Sequence, residues 1–143
     1  MKKLLVIISI LTVVACGNKS NNNVNVEVPL TADGKVDTSK LPKFTFVKDA
    51  YDFGKIKQGE KVSYAFRFKN TGSTPLIISS ASASCGCIVF SYPEEPIQPG
   101  QESKIDVVFD SQGKMGMQTK TITLVANTIP NTKVLYLRGE ILE

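Results

Sequence analysis

Residues 61–70 read KVSYAFRFKN. Val62, Tyr64, Phe66 and Phe68 take alternate positions, with Ser63, Arg67 and Lys69 between them. A strand turns successive side chains to opposite faces, so this run has one apolar and one polar face and reads as a half-buried β-strand. The period of two recurs on the C-terminal side. SKIDVVFD sets Ile105, Val107 and Phe109 against Lys104, Asp106 and Asp110, and KTITLVAN and KVLYLRGEIL add two further β-rich runs. Turn chemistry separates them, at Asn70-Thr71-Gly72, Pro99-Gly100, Ser111-Gln112-Gly113 and Pro130-Asn131. No window from Lys43 onward carries the 3.6 period of an amphipathic helix.

About seven short strands over residues 43–143 at this spacing imply one all-β domain, an immunoglobulin-like β-sandwich. The Cys-Trp-Cys marker of antibody domains is missing, because the chain has no tryptophan. At 143 residues, 42% hydrophobic and 21% charged, the chain holds one core and an appendage.

The appendage lies in front. In MKKLLVIISILTVVACGN, Lys2 and Lys3 precede a mainly apolar run from Leu4 to Val14. At about 1.5 Å per helical residue the run covers about half of a ~30 Å hydrocarbon core, too little to span it. It reads as a signal peptide, residues 1–15. Val13-Val14-Ala15-Cys16 resembles the lipobox of bacterial lipoproteins. That resemblance implies cleavage before Cys16, thioether lipidation of its sulfur and acylation of its amine, a membrane anchor stronger than one acyl chain provides. The residues after Cys16 carry no acidic cluster, and the expected location is the bacterial cell envelope, facing the periplasm. Residues 16–42 read as a lipidated cysteine and a flexible polar linker. As a free coil, the segment from Gly17 to Pro42 would span roughly 30 Å. Within it VNVEV alternates and could add as an edge strand.

Charge and composition exclude several function classes. Loss of Lys2 and Lys3 lowers the formal charge from +4 to +2, and the remaining Lys and Arg are dispersed, so no nucleic-acid partner is expected. Without histidine there is no Ser-His-Asp or Cys-His arrangement. Glu94 and Glu95 are adjacent, so an extended backbone points them apart and they make a poor acid/base pair. An enzyme would therefore have to run on Cys85 and Cys87 themselves.

Several motifs between residues 50 and 140 occur in an order that resembles the bacterial domain-of-unknown-function family 1573, related to the Hydin, major-sperm-protein and pilus-chaperone sandwiches. They are Asp52-Phe53-Gly54, Phe68-Lys69-Asn70-Thr71-Gly72 with Pro75-Leu76, Ser84-Cys85-Gly86-Cys87, Pro96-Ile97-Gln98-Pro99-Gly100 and Phe109-Asp110-Ser111. Ile88 departs from the threonine usual in that family. The resemblance implies a sandwich and an exported, often lipid-anchored protein, and no reaction; because relatives of this sandwich mostly act as binding or adaptor modules, it implies a binding module and not an enzyme.

Cys85 and Cys87 are the one pair of reactive side chains that remains. On a strand their Cα atoms would lie about 6.5 Å apart, near the upper limit for a disulfide. Gly86 between them permits the bend that closure needs. Three readings stay open. An oxidising compartment and an even count once Cys16 is lipidated favour a disulfide. A continuous strand would put both thiols on the apolar parity of Ile77, Ala81, Ala83 and Val89, as small buried hydrophobes. Two thiolates could also hold Cu(I), with Met115 and Met117 of GKMGMQ as soft thioether ligands. No cofactor is expected under the first two readings. An envelope protein, met by strand addition at a sheet edge, is the expected partner.

Overall fold

The computed structural model describes residues 30–84 and 88–143. They form two four-stranded sheets packed face to face. The strands are β1 (Phe44–Phe46), β2 (Ala50–Lys57), β3 (Lys61–Asn70), β4 (Ile78–Ala83), β5 (Ile88–Ser91), β6 (Glu102–Asp110), β7 (Gly116–Ala126) and β8 (Thr132–Leu142). One sheet has the order β1-β3-β6-β5, the other β2-β8-β7-β4. The immunoglobulin-like sandwich expected from the alternation is thus present, with eight strands among the described residues where about seven are expected. β1 and β2 follow one another closely but lie in different sheets. Phe44–Phe46 pairs antiparallel with β3, then Val47-Lys48-Asp49 carries the chain across, and Ala50–Lys57 pairs parallel with β8.

The core follows from the period of two. Phe66, Phe68, Ile105, Val107 and Phe109 point inward from the first sheet, and Ile122, Leu124, Leu135, Leu137 and Ile141 from the second. Arg67, Lys69 and Lys104 stand on the solvent side. Full burial of each large apolar side chain contributes about 1.5–3 kcal/mol, which makes this face the main source of stability.

β4 keeps the expected parity at Ala81 and Ala83 and departs from it only at its start. Ile78, not Ile77, is buried, and the register shifts between Ile78 and Ser80. The extra residue of the bulge reverses the parity, so Leu76 and Ile78 before it and Ala81 and Ala83 after it all face the core. A continuous strand from Ile77 to Val89 is therefore not formed. β4 ends in the second sheet at Ala83, and Ile88 begins β5 in the first.

One pair of glycines shows why particular motif residues are needed. Gly54, at φ +69°, sits at the β2 bulge, and its N–H donates to Asp52 Oδ1 at 2.8 Å. That bulge lays Phe53 against Gly139, where any Cβ would collide with the Phe53 ring. Phe53 in turn stacks on Phe109 with 5.6 Å between centroids.

The segment before β1 is joined to the domain. Thr38–Lys40 make a 3-10 turn, Pro42 is buried, and Ser73 and Thr74 donate side-chain hydrogen bonds to the carbonyls of Ser39 and Lys40. Residues 38–42, read as the end of the linker, thus lie against the β3–β4 loop.

Candidate functional site

Two regions carry the residues singled out by sequence, one at each end of the sandwich. At the first, the β4–β5 crossover holds Cys85-Gly86-Cys87, which lies outside the described residues, as does Cys16. The Ser84 N–H donates to the Thr121 carbonyl at 2.9 Å, and the Thr121 N–H donates to Ser84 Oγ at 3.1 Å. On the other side Ile88 is opposite Phe109. The crossover therefore leaves from beside β7 and arrives beside β6.

The loop joining β6 to β7, residues 111–115, bridges the same two strands at the same end. It carries Met115, and Met117 follows at the start of β7, both exposed. Along that strand, Met117 lies about 14 Å from Thr121. The register of β4 on β7 and of β5 on β6 thus brings Ser84 and Ile88, which flank the cysteines in sequence, to the same end as the methionine-bearing loop.

Asp110 and Lys61 form an ion pair at this end. Asp110 accepts the Gln112 N–H at 2.9 Å and lies 3.4 Å from Lys61 Nζ. The backbone hydrogen bond first, then Lys61, hold its carboxyl below the usual 3.8. Lys120 Nζ stands over the Phe109 ring, 5.9 Å from its centroid. Among the described residues no three acidic, cysteine or histidine side chains converge to hold a metal ion. Glu94 and Glu95 are exposed, in the β5–β6 connection at the opposite end.

That opposite end is organised by a residue whose sequence signature is only that of a turn. Asn70 is fully buried. Its Nδ2 donates to the carbonyls of Thr74 and Ile97 at 2.8 and 2.9 Å, and its Oδ1 accepts from the N–H groups of Gly72 and Lys43 at 3.0 and 3.3 Å. One amide thereby joins the segment before β1, the β3–β4 loop and the loop before β6. Gly72 is needed beside it, because a Cβ there would collide with the Leu41 carbonyl oxygen. The signal available in the sequence is the Phe68-Lys69-Asn70-Thr71-Gly72 step itself. An open groove of about 420 Å³ runs beside this junction, lined by residues that include Thr38, Leu41, Lys43, Thr71 and Ile129.

The family model for DUF1573, a protein of unknown function, matches residues 44–141. The chain belongs to that family. No curated protein matches it. Among solved structures it is similar to a protein of unknown function from Porphyromonas gingivalis W83, with 17% identity and a TM-score of 0.64, over 73% of this chain and 49% of that one. The DUF1573 chain thus spans about half of that protein's length. It is also similar to the ASH/PapD-like domain 7 of human CEP192, with 13% identity and a TM-score of 0.58, over 82% of this chain and 96% of that one. A third similar structure is the YadV chaperone, with 14% identity and a TM-score of 0.51, over 70% of this chain and 52% of that one. At these identities the likeness shows the shared immunoglobulin-like sandwich fold alone.

Proposed function

We propose that this DUF1573 protein is a lipid-anchored binding module of the bacterial cell envelope, tethered through Cys16 and facing the periplasm, which recruits or supports an envelope protein and catalyses no reaction. The observation that carries the binding reading is the uneven guarding of the second sheet's two edges. The outer edge of β2 carries Asp52, Lys55 and Lys57 and is bent by the bulge at Gly54. Charges and bulges of this kind keep foreign strands away. β4 has neither charge nor proline, and it pairs only with β7 among the described residues. An edge of that kind can accept an extended segment by strand addition. The lipobox-like sequence ending in Cys16 supports the anchored location.

A second reading, a thiol-redox or Cu(I)-handling lipoprotein acting through Cys85 and Cys87, is supported by the position of their sequence neighbours Ser84 and Ile88 at the same end as the Met115–Met117 segment. Thiolates and thioethers are both soft ligands that suit Cu(I). Replacing both cysteines by serine separates the two. Under the binding reading, Cys85→Ser with Cys87→Ser leaves envelope integrity and copper tolerance unchanged. Lost copper tolerance with the fold intact by circular dichroism would sink that reading in favour of the second. The intact mass of the mature protein, taken without reductant before and after alkylation, then distinguishes a disulfide, free thiols and a copper adduct.

A further inference from the structure

From Asn70 to Pro93 the chain has no Asp, Glu, Lys or Arg, in a protein with 21% charged residues. The run includes β4 and β5, which are the edge strands of the two sheets on the same side of the sandwich. The neutrality continues inward from β4. On the outer face of its sheet, Ser82 is opposite Thr123 and Thr123 opposite Val134, while Ser80 is opposite Val125 and Val125 opposite Thr132. The outer face of the other sheet differs. There Lys61 faces Asp110, Arg67 faces Lys104 and Lys69 faces Glu102. Among the described residues, the unpaired edge of β4 thus borders a surface without charge.

Backbone direction can be assigned along β4. The Ser84 N–H bonds to β7, and antiparallel neighbours alternate, so Ser82 and Ser80 also turn their backbone groups to β7. The N–H and C=O groups of Ala81 and Ala83 therefore point to the free edge. Residues 80–84 read Ser-Ala-Ser-Ala-Ser, the same in both directions. A two-fold axis through Ser82 sets Ala81 opposite the second copy's Ala83, so that these pairs exchange all their free backbone groups. Serine meets serine on the outer face, alanine meets alanine on the inner one, and no like charges face each other.

We propose that β4 pairs antiparallel with β4 of a second copy of this chain, about a two-fold axis at Ser82, joining the two second sheets into one. The proposal rests on the binding reading above, in taking the unguarded edge as a contact surface. So short an edge buries less than the roughly 1,200–2,000 Å² of a stable interface, so the pairing is weak in dilute solution and depends on confinement of both copies to one membrane.

The test is cysteine cross-linking in cells that produce the full-length chain, in a Cys85→Ser, Cys87→Ser background. Ser82 residues related by the axis form a pair without mutual hydrogen bonds, with Cα atoms about 4.5 Å apart, inside the range for a disulfide. Ser82→Cys is expected to give a disulfide-linked dimer on a non-reducing gel, at least tenfold above Ser63→Cys on the outer face of the charged sheet. Adding Ala83→Pro to Ser82→Cys removes the edge-facing N–H that the second copy's Ala81 carbonyl accepts and spares the bonds to β7. It should reduce the dimer to the Ser63→Cys level. Equal cross-linking at Ser82→Cys and Ser63→Cys overturns the proposal, and so does a dimer that survives the proline. A Ser82→Cys adduct to a different protein overturns it too, and that outcome leaves the binding reading standing.

Discussion

Asn70 gathers more of the structure than any other polar side chain among the described residues. Four hydrogen bonds to three separate backbone segments leave its buried amide fully satisfied. An alanine there would take this partner from the Thr74 and Ile97 carbonyls and from the Gly72 and Lys43 N–H groups. Losing a buried network of this kind costs roughly 2–4 kcal/mol. Asn70→Ala should therefore lower the midpoint of thermal unfolding by roughly 10–20 °C in a domain of this size. Differential scanning calorimetry checks it, and an unchanged midpoint would mean that the segment before β1 and the two loops hold together without the amide. Only part of this role is legible in the sequence. The turn at Asn70-Thr71-Gly72 follows from residue type, but the partners Lys43 and Ile97 are 27 residues away on either side, and local patterning says nothing about contacts at that range.

At the scale of elements, β3, β6, β7 and β8 are readable because each alternates cleanly between a core and a solvent face. β4 keeps its expected parity at Ala81 and Ala83 and loses it only before the bulge, which reverses the alternation between Ile78 and Ser80, a backbone event with no side-chain pattern of its own. β1 has no signature either, since so short a strand cannot show a period. The pairing of β3 with β6 ends in a charged couple, Lys61 with Asp110, and it gives a pH prediction. The folded state holds the Asp110 carboxyl below 3.8, through the Gln112 N–H and then Lys61. A lowered value means that the ionised form is favoured by folding. Its contribution is complete above 3.8 and is lost as the pH falls through the folded value. Asp110→Asn should consequently be less stable than the parent at neutral pH, with the gap closing in strong acid. Because Asp110 is solvent-accessible, the gap is small. Chemical denaturation of both proteins across that pH range reads it, and a gap that widened in acid would reverse the assignment.

At the scale of the whole molecule, the sandwich follows from the order of strands and turns, whereas the placement of the two candidate ends does not. It depends on which strands neighbour each other when the chain changes sheets, as it does at every connection except β5–β6 and β7–β8. Cys16 lies outside the described residues, which begin at Leu30. The chain is bound to the sandwich from the turn at Thr38–Lys40, where Ser39 and Lys40 accept hydrogen bonds from the β3–β4 loop. The proposed lipid site and the folded domain are thus separate in the chain, which leads to a prediction about their independence. Cys16→Ser should remove the anchor and leave the domain intact, so the protein should move from the membrane pellet to the soluble envelope fraction with an unchanged thermal midpoint. Retention in the pellet after a wash in high salt would show that something besides a thioether-linked lipid holds it there. A lowered midpoint would instead show that the sandwich draws stability from the anchored segment, and the tether would then be part of the fold.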